Sequence, residues 1–352
     1  MLRVRLAGIS TAVPGVRIPQ NVVLDWARRT LGAKFGQFER MAKAFENAGI
    51  DTRYTVTDVS WFETPKSWPE RNEAYLRGTT ALFVEAAGAA LKDADWAADE
   101  VDAVVTVSST GIATPSLEAR ALIEMGFRDD IMRVPVFGLG CAGGVSGLAI
   151  ARDLAAAHEG ARVLLVAVEA CSVSFCAGVP RKADIIGAAL FGDGAAAVCV
   201  TSASGRLGKR DILIGRGTQK TWPETLSIMG WDVSDNSLGV IFDKAIPDFT
   251  RQHLSAAVSD ALSNLGMDAG EIDRFVFHPG GTKVLQAIEQ SLDLQPDSLG
   301  VERKVLRDFG NMSAPTVLFV LKRVLETDQK GDMLMCAFGP GFTASFLPIE
   351  GV

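Results

Sequence analysis

Cys141 sits inside "GLGCAGGVSG", His278 ends "DRFVFH", and Asn311 lies in "DFGNMSAPTVLF". Each stands where an apolar run gives way to a turn. Together they supply a sulfur nucleophile and two hydrogen-bond donors suited to holding a developing oxyanion. The same glycines permit another chemistry. Gly138, Gly140 and Gly143 satisfy G-x-G-x-x-G, the fingerprint of a dinucleotide-binding turn, and Glu169 ends the next strand at a distance suited to a ribose. A phosphate cradle, however, has no use for the thiol, the imidazole or the carboxamide. Each residue also has a plain structural reading: a cysteine as a small core residue, an asparagine as a helix cap. Of the three histidines, His158 falls near a helix end and His253 on an amphipathic helix. Only His278 falls at the carboxyl end of a strand, where open α/β sheets bind ligands.

The elements that must position these groups are legible. "RVPVFGLG" reads as a strand and "GVSGLAIARDLAAA" as a helix, which puts Cys141 at a helix N-terminus, a place that favours thiolate. The chain also repeats itself. At a shift of 171 residues, "ALKDADWAADEVDAVVTV" lies over "ALSNLGMDAGEIDRFVFH", each the end of a helix, a polar loop and a buried strand. At a shift of 172, "FGLGCAGGVSGL" lies over "FGNMSAPTVLFV", each a turn opening an apolar helix. "ARVLLVAVE" and "DMLMCAFGP" are buried strands at corresponding places. Recurrence in matching order predicts a duplicated α/β architecture whose halves, residues 1–205 and 206–352, join near 201–217 and pack about a pseudo-twofold axis. Strand ends and helix N-termini from both halves then meet at the centre.

Composition narrows the function classes. The 352 residues carry a net charge of −7 with Lys and Arg dispersed, so no nucleic-acid footprint is expected. Five cysteines in no metal-like pattern, Cys171 and Cys176 among them, point to free thiols in a reducing compartment. "MLRVRLAGISTAVPG" is too short and broken for a secretory apolar segment, and a cytoplasmic protein is expected. The uncharged run at 134–151 is interrupted by Pro135 and five glycines and reads as strand–turn–helix rather than a membrane span.

Taken in order, "GLGCAGGVSGL", "LFGDGAAAV", "FHPGGTKVL", "GNMSAPTVLF" and "FGPGFTASF" make the whole chain resemble the type III polyketide synthases, the chalcone-synthase-like members of the thiolase superfamily. The resemblance implies two related halves in αβαβα layers, a homodimer, and no cofactor beyond coenzyme A thioester substrates. It implies that Cys141 takes a starter acyl group from acyl-CoA and holds the growing chain. His278 and Asn311 would bind the malonyl-CoA carbonyl during decarboxylation, with His278 also pairing with the Cys141 thiolate. Phe191 would be the gatekeeper between the CoA tunnel and the cavity. Cys171, Ser174, Thr110 and Ser313 would shape the pocket, Thr114 would reach toward the partner subunit, and Arg53 would contact CoA phosphates. "MGWDVSDNSLGVIFDKAIPDF" resembles bacterial members that load fatty acyl-CoA and make alkylpyrones or alkylresorcinols, with small or aromatic starters as the alternative. The β-ketoacyl carrier-protein synthases of the KAS III type share the fold and a Cys–His–Asn set, but "HPGG" and "GNMSAPT" differ from their flanking residues.

Overall fold

Alternation along the central strands sorts their side chains into two separate cores, and that sorting defines the layers. In the computed structural model, which describes residues 2–32, 35–174, 181–203, 212–233, 238–327 and 331–351, strand Ala103–Val107 sends Val105 and Val107 to one face and Val104 to the other. Strand Arg162–Ala170 does the same with Val163, Leu165 and Ala167 against Leu164, Val166 and Val168. Period-two burial of this kind requires a packed layer on each side.

The outer layer on this half is helix Trp68–Asp93, started by Ser67 and Glu70 in a reciprocal cap, with Tyr75, Leu82, Phe83 and Ala86 buried against the sheet. The inner layer is a pair of helices, Gly143–Ala157 and Thr316–Leu325, whose Val145, Leu148, Val317 and Leu321 share one core with strands of both halves. Beyond the second half, Leu254, Val258, Leu285 and Ile288 of helices Ile246–Leu265 and Thr282–Ser291 close the outer face. The order of layers is αβαβα.

The sheet shows the duplication directly. Strand Ala103–Val107 runs parallel to Arg162–Ala170, which pairs antiparallel with Asp193–Ala203. In the second half, Ile272–Phe277 runs parallel to Asp332–Gly339, which pairs antiparallel with Thr343–Gly351. Short strand Ile212–Ile214 bridges Arg3–Ala12 to Thr343–Gly351, making the two sheets continuous. Residues 204–211 of the expected junction, like Cys176, lie outside the described residues.

The carboxylates that recur in the sequence do the same work twice. Glu100 and Glu271 accept hydrogen bonds from the backbone N–H of Ala97 (2.8 Å) and Asp268 (3.0 Å), closing the turns Ala98–Glu100 and Ala269–Glu271. Asp102 and Asp273 each accept from the N–H that opens the neighbouring parallel strand, Arg162 and Asp332, both at 2.9 Å. Each pair fixes where its strand begins, and so where the opposite end, bearing the chemistry, stops.

Candidate active site

Cys141 occupies a single 3₁₀ turn, Gly140–Ala142, that runs into helix Gly143–Ala157. Gly140 has φ +48, and a Cβ there would lie 2.7 Å from Pro340 of the other half. Only glycine fits that approach. At Gly144 a Cβ would come within 2.3 Å of the Ala314 carbonyl oxygen, so this glycine lets the two central helices touch. These glycines serve inter-half packing. Glu169, the residue a dinucleotide site would need at its surface, is fully buried and accepts from Ser109 N–H (2.9 Å) and the Thr110 hydroxyl (2.7 Å).

The sulfur faces the second half. Cys141 Sγ lies 3.6 Å from Ser313 Oγ and 4.0 Å from Asn311 Oδ1. At the 172-residue shift Ser313 is the counterpart of Cys141, so equivalent positions of the two halves meet across the pseudo-axis. Ser313 holds a left-handed φ of +60, rare for a non-glycine residue, which turns its N–H onto Asn311 Oδ1 at 2.8 Å. With Oδ1 engaged there, the carboxamide directs Nδ2 to the other side, where it donates to Gly280 O at 3.4 Å, two residues from His278. Phe191 is clamped to the same place: Asn311 N–H donates to Leu190 O (2.9 Å) and Gly192 N–H to Asn311 O (3.0 Å).

His278 follows strand Ile272–Phe277 and is nearly buried, and neither ring nitrogen has a hydrogen-bond partner among the described residues. Burial lowers its pKa to about 3, so the ring is neutral, with one N–H to donate and one nitrogen to accept. Burial likewise pushes the Cys141 thiol up to about 11, and the Glu169 charge adds to this, while contacts with Ser313 and Asn311 pull it back. Desolvation favours the neutral form of both groups, and the contacts of Cys141 go to Asn311 and Ser313.

The remaining residues divide by depth. Cys171 lines the same cavity of about 180 Å³ as Cys141, Phe191 and Ser313. Thr110 and Ser174 are buried behind its wall, their hydroxyls committed to Glu169 and to the Thr110 carbonyl (2.6 Å). Thr114 is exposed in the single chain. Arg53 departs most from expectation. It is 2% exposed, and its guanidinium donates to the carbonyls of Ala188 (2.6 Å), Phe191 (2.8 Å) and Ala189 (2.7 Å) and to Gln20. Those donors are spent on the turn that carries Phe191, which makes Arg53 a positioning residue and leaves little for a phosphate.

Two family models tile this fold. The description "Chalcone and stilbene synthases, N-terminal domain" matches residues 4–204, and the corresponding C-terminal domain matches 214–352. The chain belongs to the chalcone and stilbene synthase family. It is 33% identical over 354 residues to a putative chalcone synthase of Bacillus subtilis, covering 97% of each chain. It is also 33% identical to a 1,3,6,8-tetrahydroxynaphthalene synthase of Streptomyces peucetius, over 97% of this chain and 92% of the relative. The crystal structure of the Streptomyces coelicolor 1,3,6,8-tetrahydroxynaphthalene synthase, a bacterial type III polyketide synthase, superposes with a TM-score of 0.90 at 28% identity, covering 98% of both chains. The protein is a type III polyketide synthase, an acyltransferase of the decarboxylative condensing kind. Among the described residues of this synthase, no helix is long and apolar enough to cross a membrane.

Two residues of the synthase escape a reading by motif. Trp231, on strand Met229–Val233, walls the cavity from the second half. A lone tryptophan in this hairpin carries no spacing signal. Glu169 resembles a ribose ligand in sequence, yet burial raises its pKa from 4.5 to about 7 against the pull of its hydrogen bonds. A carboxyl whose folded pKa exceeds its unfolded value binds an extra proton when folded, so stability falls as pH rises from about 4.5 through about 7. Glu169→Gln is thus expected to match the wild-type synthase near the acid end of that window. Above it the variant gains up to roughly 3 kcal/mol, since each pKa unit is worth about 1.4 kcal/mol. Thermal melts of both proteins across the window check this. A difference that does not change with pH would mean that Glu169 is ionised throughout.

Proposed function

We propose that this synthase loads a fatty acyl group from acyl-CoA onto Cys141, extends it repeatedly with malonyl-CoA, and cyclises the chain to an alkylpyrone or alkylresorcinol. The observation that supports this best is the place of the thiol. Cys141 Sγ lies within 4.0 Å of the Asn311 carboxamide, in a cavity whose other walls include Met229, Val240, Ile241 and Phe242. Loading transfers the acyl carbonyl from the sulfur of CoA to that of Cys141, and the thiol proton passes to the departing CoA thiolate. Decarboxylation then breaks the malonyl C–C bond. Its electron pair becomes an enolate whose oxygen takes hydrogen bonds from Asn311 Nδ2 and the His278 N–H. The enolate carbon attacks the Cys141 thioester, and Cys141 leaves as thiolate.

In this reading coenzyme A thioesters are the substrates and no further cofactor acts. The working unit is a homodimer in the cytoplasm. Edge strand Met132–Val136 favours the dimer: Met132, Phe137 and the nearby Ile112 are 55%, 62% and 59% exposed, and Thr114 lies in the same region.

The relatives named 1,3,6,8-tetrahydroxynaphthalene synthases favour a second reading, in which the starter is itself small and malonyl-derived. One screen tests both. The enzyme is incubated with malonyl-CoA alone and with acyl-CoAs of increasing length, without carrier protein, and products are identified by mass spectrometry. Pyrones or resorcinols bearing the acyl chain support the first reading, and product from malonyl-CoA alone supports the second. No product in either arm overturns both.

A further inference from the structure

The hairpin of strands Met229–Val233 and Leu238–Phe242 stands apart from the central sheet as a two-stranded sheet of its own. Among the described residues, polar contacts on both of its sides tie it to the first half. On its outward side Asp232 pairs with Arg181 at 2.6 Å, and both side chains are exposed. On its inward side Trp231 donates its indole N–H to the Ser109 carbonyl at 2.9 Å. That second bond joins the two halves along the cavity wall. Ser109 is itself fixed, because its own N–H is held by the buried Glu169 and its hydroxyl accepts from Gly138 N–H at 3.1 Å, three residues before Cys141. The indole is therefore a flat partition anchored at its far end to Ser109, which is itself tied to Gly138 just before the Cys141 turn.

We propose that Trp231 sets the length of the acyl chain that the Cys141 cavity accepts, its ring forming the wall against which the alkyl end stops. The inference rests on the acyl-CoA reading above and deepens it by naming the residue that selects the substrate. An indole is the largest side chain lining this cavity, and a wall of that kind discriminates by steric exclusion, worth about tenfold or more for each methylene beyond the limit. The hydrogen bond orients the ring in wild type, while the exclusion itself comes from the bulk of a planar ring in that place. Met229, one turn of the pleat away, and Val240 on the facing strand bound the space that would open behind it.

The test measures acyl-enzyme formation by intact mass, with acyl-CoAs from butyryl to palmitoyl in two-carbon steps, for wild type, Trp231→Ala, Trp231→Leu and Trp231→Phe. Malonyl-CoA decarboxylation is followed in parallel. The wild type is expected to show a chain-length limit. Trp231→Ala moves that limit upward, with at least about a tenfold gain at the first length the wild type excludes. Trp231→Leu moves it part of the way, and reads the same effect if the alanine variant does not fold. Trp231→Phe keeps most of the bulk without the N–H, and its limit stays near that of wild type. An unchanged limit in both the alanine and leucine variants overturns the proposal, as does a wild type with no limit. A phenylalanine variant shifted as far as alanine overturns it too, because the hydrogen bond and not the wall would then select. Failure of the acyl-CoA reading looks different: the wild type itself loads no acyl group of any length, whether or not it decarboxylates malonyl-CoA.

Discussion

Cys141→Ala is expected to abolish acyl-enzyme formation while leaving measurable malonyl-CoA decarboxylation. The sulfur is the only group at its position able to carry a thioester, so intact-mass measurement after incubation with acyl-CoA should show no adduct. Removal of the thiol does not disturb the donors. Asn311 Oδ1 remains engaged by Ser313 N–H, and the turn Gly140–Ala142 keeps its backbone bond from Ala142 N–H to Leu139 O at 3.1 Å. A small methyl in place of the thiol also relieves the site of a titratable group that burial has already driven to its neutral form. Release of labelled CO₂ from malonyl-CoA should therefore persist. An acylated Cys141→Ala protein would move the nucleophile elsewhere, with Cys171, in the same cavity, as the first place to look.

Asn311→Ala is expected to do the reverse. The variant loads starter on Cys141, while decarboxylation falls by about 100-fold or more, the usual loss when one donor to an oxyanion is deleted. The backbone of Asn311 keeps its bonds to Leu190 and Gly192, so Phe191 stays in place. What is lost is the Nδ2 donor and the acceptor for Ser313 N–H. His278→Ala removes the other donor and should show a loss of similar size in decarboxylation. Because the two donors act on one oxygen, the double variant should lose less than the product of the single losses. Single-turnover loading by intact mass, set beside CO₂ release, separates the two steps. Equal loss of both steps in Asn311→Ala would mean that the carboxamide serves the thiol through the 4.0 Å contact rather than the enolate.

The parts of this protein legible in its sequence are those set by local rules. A strand ending in glycines before an apolar helix places Cys141 without knowledge of the rest of the chain. The recurrence of Glu100 and Asp102 as Glu271 and Asp273 announces the duplication because each carboxylate satisfies a local backbone demand at a turn or strand start. What sequence misjudges depends on which surfaces close over a residue. Arg53 reads as a charged group in a loop. Only the arrival of the turn carrying Phe191, some 135 residues later in the chain, buries it among carbonyls. For Cys141 the helix terminus that favours an anion is local, whereas the burial that raises its pKa comes only with the completed fold. Thr110 and Ser174 lie deeper than expected because their hydroxyls are drawn to the buried Glu169 and to the Thr110 carbonyl, partners set by the fold and not by spacing. The wall residue Trp231 belongs to a hairpin whose position relative to Cys141 is set by tertiary packing, with no motif to mark it.

The contact between Gly144 and Ala314 has a mechanical meaning. There is less room between the central helices than a single methyl group needs, since a Cβ would stand 2.3 Å from the carbonyl oxygen. Cys141 sits in the turn that runs into one of these helices, and Asn311 lies in the turn that leads into the other. The gap across which the reaction runs is thus not adjusted locally by loops. It is calibrated by the thickness of the seam between two rigid blocks, as a jaw is calibrated by its hinge. A seam with that tolerance lets substrate channels and walls vary around the site while the reacting atoms keep their spacing, so one fixed bite can serve many different acyl chains.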